Sequence, residues 1–477
     1  MILFGTGGIR GIMKEGEFDE KTIMVATKGV SNYMKDNNLK SVVIAYDTRN
    51  NSRKFAELTA KVFAADQHKV LLFSEPVPTP VLSFAVRYLK ADIGIVITAS
   101  HNPPEYNGYK VYTSNGVQAI PQVTNILSKY VEHAWNLPIH LSDNFKLIDD
   151  KILNKFVEIV CETVNTDLTG LEIVYTPLHG TGAKPVIKVL EKLGAKVIKV
   201  EEQMEPNGNF PTVKSPNPED DEALELLKLY MKKFKVSLGI ATDPDCDRVG
   251  VIWKDTRLTG NQVGVILTNL LLEKAQHNSM VIKTIVTTDM VKPMCSEKNV
   301  KVYETPTGFK FIGDLIEKSK LSFLFGFEES CGYLTGNHAR DKDGVIGSAL
   351  VAVSAKNNDL IETLEELYAK YGYYYEKLLN FKFKDIKIAK ELYEKIKNGT
   401  LPKSAKKIID YSKGIDGILP NETLKIVFDE GKIYVRPSGT EPKLKAYVMT
   451  NSKIKEEAER NIEKLSNYFF SFIESMI

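Results

Sequence analysis

A chain of 477 residues is too long for one ordinary hydrophobic core, and at roughly 100 to 200 residues per domain it predicts three or four. Apolar residues at 43% and charged residues at 26% are those of a soluble globular protein. With 63 basic residues against 61 acidic ones the net charge is +2, so no global field favours nucleic acid or a membrane, and anion recognition must come from local sites.

The opening stretch, "MILFGTGGIRG", lacks the charged-then-apolar layout of a signal peptide. No apolar run approaches the roughly 18 residues of a membrane span. Cys161, Cys246, Cys295 and Cys331 lie far apart without a C-x-x-C pair, which argues against a disulfide framework or zinc site and predicts a reducing, cytoplasmic setting.

Further along, short β-branched runs alternate with helical stretches. "SVVIAYDTR" (41–49) leads through a helical pattern from Phe55 to Ala65 into "KVLLF" (69–73). "EIVYTP" (172–177) leads through "LHGTGAKP" and helical "VIKVLEKLG" into "AKVIKV" (195–200), and "MVIKTIVTT" (280–288) leads to "VKVYETPTG" (300–308). This rhythm predicts α/β domains with mostly parallel sheets. The last hundred residues differ: "TLKIVFDEGKIYVRPSG" and "KLKAYVMT" read as strands joined by short loops, with helices at 387–397 and 453–473, a smaller antiparallel α+β domain. "NLPIHLSDN" (136–144) and "WKDTRLTGN" (253–261) are the expected connections, and "NYFFSFIESMI" is expected to pack the apolar stripe of a terminal helix.

Four loops carry residues suited to chemistry. "TASHNP" (98–103) follows the apolar run 93–97, and Pro103 and Pro104 deny a helix just after Ser100. That places the serine at a strand's carboxyl end, where α/β sheets bind ligands. The Gly-x-Ser-x-Gly elbow is absent, so the serine needs a base or a metal to react; taken alone, Ser100 and Asn102 read better as residues that cap a turn. "DPDCDR" (243–248) spaces Asp243, Asp245 and Asp247 two apart, so an extended loop turns the three carboxylates to one side. Hard oxygens clustered this way suit Mg2+. An EF-hand is excluded by Arg248 at its glycine position and Lys254 at its twelfth. Cys246 reads as packing.

"RPSGTEPK" (436–443) joins two expected strands. Its arginine can fork to a phosphate while Ser438, Gly439 and Thr440 offer hydroxyls and close backbone approach; the competing reading is a plain hairpin turn. In "GFEESCGY" (326–333), adjacent Glu328 and Glu329 on a strand would face opposite ways, against a glycosidase pair. Polar acceptors between glycines suit sugar hydroxyls, and an exposed strand end suits the same residues. "HGTGAKP" (179–185) has Pro185 where a dinucleotide fingerprint needs glycine, though its helix start could hold an anion. On local grounds "ARDKDG" (339–344) reads as a charged surface turn.

Taken together and in this order, "FGTGGIRG", "TASHNPPEYNGYK", "DPDCDR", "GFEES" and "RPSGTEPK" resemble the α-D-phosphohexomutase superfamily, from Phe4 to Lys445. The resemblance implies an α/β protein of four domains around a central cleft. Three are related α/β domains with mixed sheets, and the fourth is a smaller C-terminal antiparallel α+β domain. The implied divisions are 1–145 for phosphoserine, 146–253 for metal, 254–372 for sugar and 373–477 for phosphate.

It further implies that Ser100 rests as phosphoserine, with Mg2+ held by Asp243, Asp245, Asp247 and an oxygen of the Ser100 phosphate. Arg10 and Lys110 would approach the reacting phosphate, with Lys110 or His101 as proton shuttle. Arg248 would touch phosphate or sugar, and Glu328 and Ser330 would read the sugar hydroxyls, joined by Thr307, Gly308 and Lys310 of "TGFK" and by Arg340 and Lys342. Arg436, Ser438, Gly439, Thr440 and Lys445 would hold the non-reacting phosphate.

The implied reaction interconverts α-D-glucose 1-phosphate and glucose 6-phosphate through glucose 1,6-bisphosphate, which also serves as activator. "DPDxDR", "GFEESxG", "TPLHGTG" and "RDKD" resemble the glucose-type members, although the chain is compact for that branch. Phosphomannomutase or dual hexose specificity is the alternative. A non-catalytic sugar-phosphate binder is disfavoured by the presence of Ser100 and all three aspartates, and a phosphatase would release inorganic phosphate. The expected partners are small sugar phosphates, with no nucleic acid and no membrane, in a monomer or homodimer.

Overall fold

Residues 8–438 and 442–477 are described by the computed structural model. The first stretch contributes β1 (Ile9–Ile12), α1 (Glu20–Asp36), β2 (Ser41–Tyr46), α2 (Ser52–Ala65), β3 (Lys69–Phe73), α3 (Thr79–Tyr88), β4 (Ile93–Ile97), β5 (Tyr106–Thr113), α4 (Pro121–Ala134) and β6 (Lys146–Ile148). The strands lie in the order β1-β5-β4-β2-β3-β6. β4, β2, β3 and β6 are parallel; β5 runs against them, and β1, antiparallel to β5, runs with the parallel set. Every residue of β4 is buried, which explains why it reads as a continuous apolar run and not as an alternation.

Helix α1 starts where Asp19 accepts a hydrogen bond from the Thr22 N–H at 2.8 Å. Ile23, Ala26, Val30 and Met34 recur at helical spacing and are buried. Each such Ile or Met contributes about 1.5–3 kcal/mol of transfer free energy. Gly29 permits a close crossing with α4, since a Cβ there would lie 2.7 Å from Val131.

The second stretch holds α5 (Lys151–Val164), β7 (Glu172–Thr176), α6 (Ala183–Lys192), β8 (Lys196–Lys199), α7 (Glu225–Phe234), β9 (Leu238–Thr242), β10 (Val249–Trp253) and β11 (Thr256–Leu258). Their order is β11-β10-β9-β7-β8, parallel at β9-β7-β8 and antiparallel at β11-β10-β9. Two expected boundaries shift. β6 pairs with β3, so 146–148 complete the first sheet. "WKDTRLTGN" is a hairpin rather than a connection: Lys254, with φ +55°, turns the chain so that Trp253 pairs with Thr256.

Next come α8 (Gly260–Leu272), β12 (Ser279–Thr284), α9 (Val291–Glu297), β13 (Lys301–Thr305), α10 (Phe309–Lys318), β14 (Ser322–Glu328), β15 (Gly332–Leu334), α11 (Gly344–Asn357) and α12 (Leu360–Tyr371). β12 and β13 are parallel, β14 and β15 antiparallel. The remainder is β16 (Tyr373–Lys382), α13 (Ile386–Lys397), β17 (Lys407–Asp410), β18 (Leu424–Val427), β19 (Gly431–Pro437), β20 (Lys443–Ser452) and α14 (Lys455–Glu474). Its five strands are antiparallel throughout, in the order β16-β20-β19-β18-β17. Leu465, Phe469 and Ile473 of α14 are buried in that domain's core, as expected of the closing segment. Among the described residues no helix is long and apolar enough to cross a membrane.

Two compact units divide the chain: residues up to Leu267 with Gly308–Asn358, and Thr268–Thr307 with Asp359–Ile477. In the second unit Lys283 of β12 is fully buried, with Nζ 2.7 Å from Glu304 and 3.0 Å from Asp289. Asp289 also pairs with Lys292 and with Lys432 of β19, so charge ties β12 and β13 to the antiparallel sheet.

Candidate active site

The loop after β4 and the loop after β9 leave the carboxyl ends of parallel strands in the first unit, and they meet. Ser100 Oγ donates to Asp243 Oδ2 at 2.8 Å and lies 3.2 Å from His101 Nδ1. Ser100 adopts φ +54°, a left-handed conformation that costs an L-residue about 1–2 kcal/mol; its N–H is satisfied by Thr98 Oγ1 at 2.8 Å. Leu178, His179, Phe210, Cys246 and Cys331 share that conformation. Such strain persists only where the surroundings fix it, and it concentrates at functional sites.

Asp243, Asp245 and Asp247 are buried, each offering a carboxylate oxygen within 4.8 Å of the others. The loop is held open from behind. Asp243 Oδ1 accepts the N–H groups of Asp247 and Arg248, both at 3.0 Å. Asp245 sits at the start of α3, where Thr79 donates its N–H to the Asp245 carbonyl and its hydroxyl to Asp245 Oδ2, both at 2.9 Å. The HGTG segment buttresses the same loop: Thr181 donates twice to the Pro244 carbonyl.

Burial, then the charges of Asp247 and Asp245, push the Asp243 carboxyl well above its ordinary range. Asp245 goes the other way: burial opposes its ionisation, but Lys110 and Lys342 prevail and hold it low. Asp245 Oδ1 and Asp247 Oδ1 are buried with no hydrogen-bond donor among the described residues. Three hard carboxylates with orphaned oxygens in a dry cage fit a divalent cation of the Mg2+ class.

Cations surround the cage. Lys110 Nζ is 3.2 Å from Asp245 and Lys342 Nζ 2.9 Å from Asp247. Arg10 of β1 donates to Asn102 Oδ1 at 3.1 Å, and Arg248 pairs with Glu219. Burial, with repulsion from Arg248 and Arg10, holds His101 well below the ordinary histidine range, so it is neutral at pH 7.

Glu328, the last residue of β14, is pushed up to about 7 by burial despite the opposing charge of Lys342. Its Oε1 accepts the Gly308 N–H at 2.9 Å, and Gly308 holds φ +121°, open to glycine alone. Lys310 is buried in the first turn of α10 and Ser330 is half-buried in the β14–β15 turn. Thr307 belongs to the second unit; its Oγ1 is buried without a hydrogen-bond partner among the described residues.

"ARDKDG" is no surface turn. Arg340, Asp341 and Asp343 are buried, because Tyr112 donates to Asp341 at 2.5 Å and His338 lies 2.8 Å from Asp343, the cap of α11. This segment delivers Lys342 to the cage but not Arg340, whose guanidinium is turned to Glu317 and to the carbonyls of Asn337 and Ala339. The expected sugar contact from Arg340 is therefore not supported by its position.

Sequence reasoning passed over Arg49, Thr79 and Glu219. Arg49 ends "YDTR", the only polar close to a buried strand in that stretch, which was its one signal. Thr79 and Glu219 carry none, because their partners are remote in sequence.

In the second unit Arg436 and Lys445 are direct cross-strand partners of β19 and β20, so both side chains leave one face. Like charges so placed disfavour the sheet unless an anion joins them. Ser438 N–H closes the turn on the Lys443 carbonyl at 2.8 Å. Gly439 and Thr440 lie outside the described residues, as does the chain before Gly8.

Comparison with known proteins covers the chain. Sequence models of the phosphoglucomutase/phosphomannomutase family match as alpha/beta/alpha domain I at 1–136, domain II at 150–257, domain III at 259–371 and the C-terminal domain at 378–464. A phosphoglucomutase from Staphylococcus haemolyticus is 34% identical over 98% of this chain and 93% of its own length. A phosphoglucomutase/phosphomannomutase family protein from Burkholderia thailandensis shares the fold at TM-score 0.79, with 20% identity over 99% of this chain and 98% of its own. The open form of pp63/parafusin, a phosphoglucomutase from Paramecium, does so at TM-score 0.77, 20% identity, 99% and 94% coverage.

Proposed function

Because the chain belongs to the phosphoglucomutase/phosphomannomutase family, we propose that it interconverts α-D-glucose 1-phosphate and glucose 6-phosphate by way of a phosphoserine at Ser100. The observation that carries this reading is the Ser100 hydroxyl set 2.8 Å from Asp243 inside a buried triple-carboxylate cage. That placement suits a group that receives and returns phosphate.

Asp243, Asp245 and Asp247, with an oxygen of the Ser100 phosphate, are the residues to hold Mg2+, which when bound neutralises charge on the transferring group. A free hydroxyl of the hexose monophosphate attacks the phosphorus of phosphoserine. The sugar O–P bond forms, the Ser100 Oγ–P bond breaks, and the sugar's proton passes to a neighbouring base. His101, neutral and beside Oγ, can take a proton; Lys110, 3.2 Å from Asp245, is the competing carrier. Glucose 1,6-bisphosphate then reverses in the site, and its other phosphate returns to Ser100. Arg10 and Lys110 compensate charge at the serine end. On this reading Glu328, Ser330 and Lys342 read sugar hydroxyls, and Arg436, Ser438 and Lys445 hold the phosphate that is not reacting.

The four cysteines are unpaired, which supports a reducing compartment such as the cytoplasm. The test couples glucose 6-phosphate formation to a dehydrogenase, with a trace of glucose 1,6-bisphosphate as activator, and follows intact mass. One added phosphate on the Ser100 peptide is expected, and Ser100→Ala is expected to lower turnover by at least about three orders of magnitude with the fold retained. A higher kcat/KM on mannose 1-phosphate would move the assignment to phosphomannomutase. Release of inorganic phosphate from the bisphosphate at a rate rivalling isomerisation would make the chain a phosphatase.

A further inference from the structure

Arg49 lies outside the chemistry described so far, yet its guanidinium is fully engaged. β2 and β4 are parallel neighbours with Tyr46 opposite Ile97. Three residues beyond each strand end, Arg49 and Ser100 therefore reach the same edge of the sheet. Arg49 is buried, at 3% exposure. Its Nε donates to the Ser100 carbonyl at 3.2 Å, and Nη2 donates to that carbonyl and to the Asn102 carbonyl. Nη1 donates to the Pro103 carbonyl at 2.9 Å and the Tyr106 carbonyl at 3.2 Å. All five N–H donors of the side chain are thereby used, and every acceptor belongs to the turn that carries the serine.

The back of the guanidinium is held as firmly. Asp47 Oδ2 lies 3.4 Å from Nε, and the Phe210 ring sits with its centroid 5.0 Å from Cζ. Phe210 comes from the second sheet's region of the chain, so the same contact joins the serine loop to the domain that bears the metal loop. Ser100 needs such a hold, since a left-handed serine relaxes to an extended or helical backbone unless its surroundings forbid it. A relaxed Ser100 would carry Oγ away from Asp243.

We propose that Arg49 is a positioning residue for phosphoryl transfer: it fixes the 100–106 turn by its carbonyls and so presents the Ser100 hydroxyl to the acidic cage. This rests on the reading of Ser100 as the phosphate carrier. With no donor left over, Arg49 contacts neither sugar nor phosphate. Its loss should act on kcat and leave substrate affinity in place. Lysine cannot substitute, because an ammonium offers a point charge and three donors in place of a planar fork.

Arg49→Lys is the test, in the full chain. Displacing a reacting group by about 1 Å costs about a hundredfold in rate, so kcat is expected to fall by that factor with KM for glucose 1-phosphate held within about threefold. Hydrogen–deuterium exchange supplies a readout independent of turnover: the peptide spanning 98–106 is expected to exchange faster in the variant, with β2 and β4 unchanged. A kcat within about threefold of the parent, or a KM that rises in step with the loss, overturns the proposal. So does unchanged exchange at 98–106. Should Arg49→Lys fail to fold, Phe210→Leu lowers the shelf and keeps the fork; it is expected to raise exchange at 98–106, and no change there overturns the proposal. A parent chain without mutase turnover would sink the function proposed above, while the exchange measurement would still decide whether Arg49 holds the turn.

Discussion

Ser100 Oγ and Asp243 Oδ2 stand 2.8 Å apart although 143 positions separate the two residues in the chain. The contact joins the turn after β4 to the turn after β9, and it places a neutral hydroxyl against a carboxyl whose ionisation burial resists.

The cage should be less stable empty than full. Three carboxylates without a cation repel one another, and burial already disfavours the Asp243 charge. Without divalent cations Asp243→Asn is expected to melt at or above the parent, because it removes one buried charge and keeps the oxygen that accepts from Asp247 and Arg248. With Mg2+ near a hundred times its Kd the parent should gain about 2.7 kcal/mol and the variant almost nothing. Thermal melts with EDTA and with MgCl2 check this; an equal gain in both proteins counts against the cage.

Glu328 gives a pH signature with a definite sign. Its native pKa, pushed up to about 7 by burial, lies above the ordinary glutamate value of 4.5. The folded chain therefore binds more protons than the unfolded one between those values, and stability falls as pH rises through the window. Glu328→Gln should match the parent near pH 4.5 and exceed it by about 3 kcal/mol above pH 7. Denaturant midpoints of the two proteins across that range measure the difference. A gap that shrinks with rising pH would reverse the sign and reject the assignment.

Arg436 and Lys445 share one face of the antiparallel sheet. Removing a charge-assisted hydrogen bond to a phosphate costs about 1.5–3 kcal/mol, so Arg436→Ala should raise KM for glucose 1-phosphate by about 10–100-fold. Lys445→Ala should act in the same direction and more weakly. Steady-state kinetics with saturating bisphosphate are the measurement. An unchanged KM in both variants would remove this loop from the substrate's path.

Lys283 predicts a structural loss of a different kind. It is buried between Asp289 and Glu304, and removing one partner of a buried ion pair costs about 3–5 kcal/mol because a charge is left behind. Lys283→Met should lower the melting temperature by several degrees, while Lys464→Met, which breaks an exposed pair with Glu430, should leave it nearly unchanged. Comparable shifts in the two variants would contradict the burial argument.

Particular residues show where local reading was enough. Asp243, Asp245 and Asp247 were recognisable because a metal loop gathers its ligands from one short segment, and spacing carries the geometry. The strands were recognisable because burial on both faces leaves an apolar run, as in β4. Lys254 defeated the boundary at 253, since a two-residue turn with a left-handed lysine resembles a linker until its strands are seen to pair. "ARDKDG" misled for a related reason: its charges are buried by Tyr112, Glu317 and the aspartate cage, all distant in sequence.

The chain's own order of residues thus determined which loops bear chemistry, since hydrophobic period and ligand spacing are local properties. The tertiary structure alone decided which of those loops meet. Arg49, Thr79 and Lys342 act through carbonyls and carboxylates far away in sequence. Parallel strands set their carboxyl ends side by side, and that adjacency is a property of the sheet, not of any segment within it.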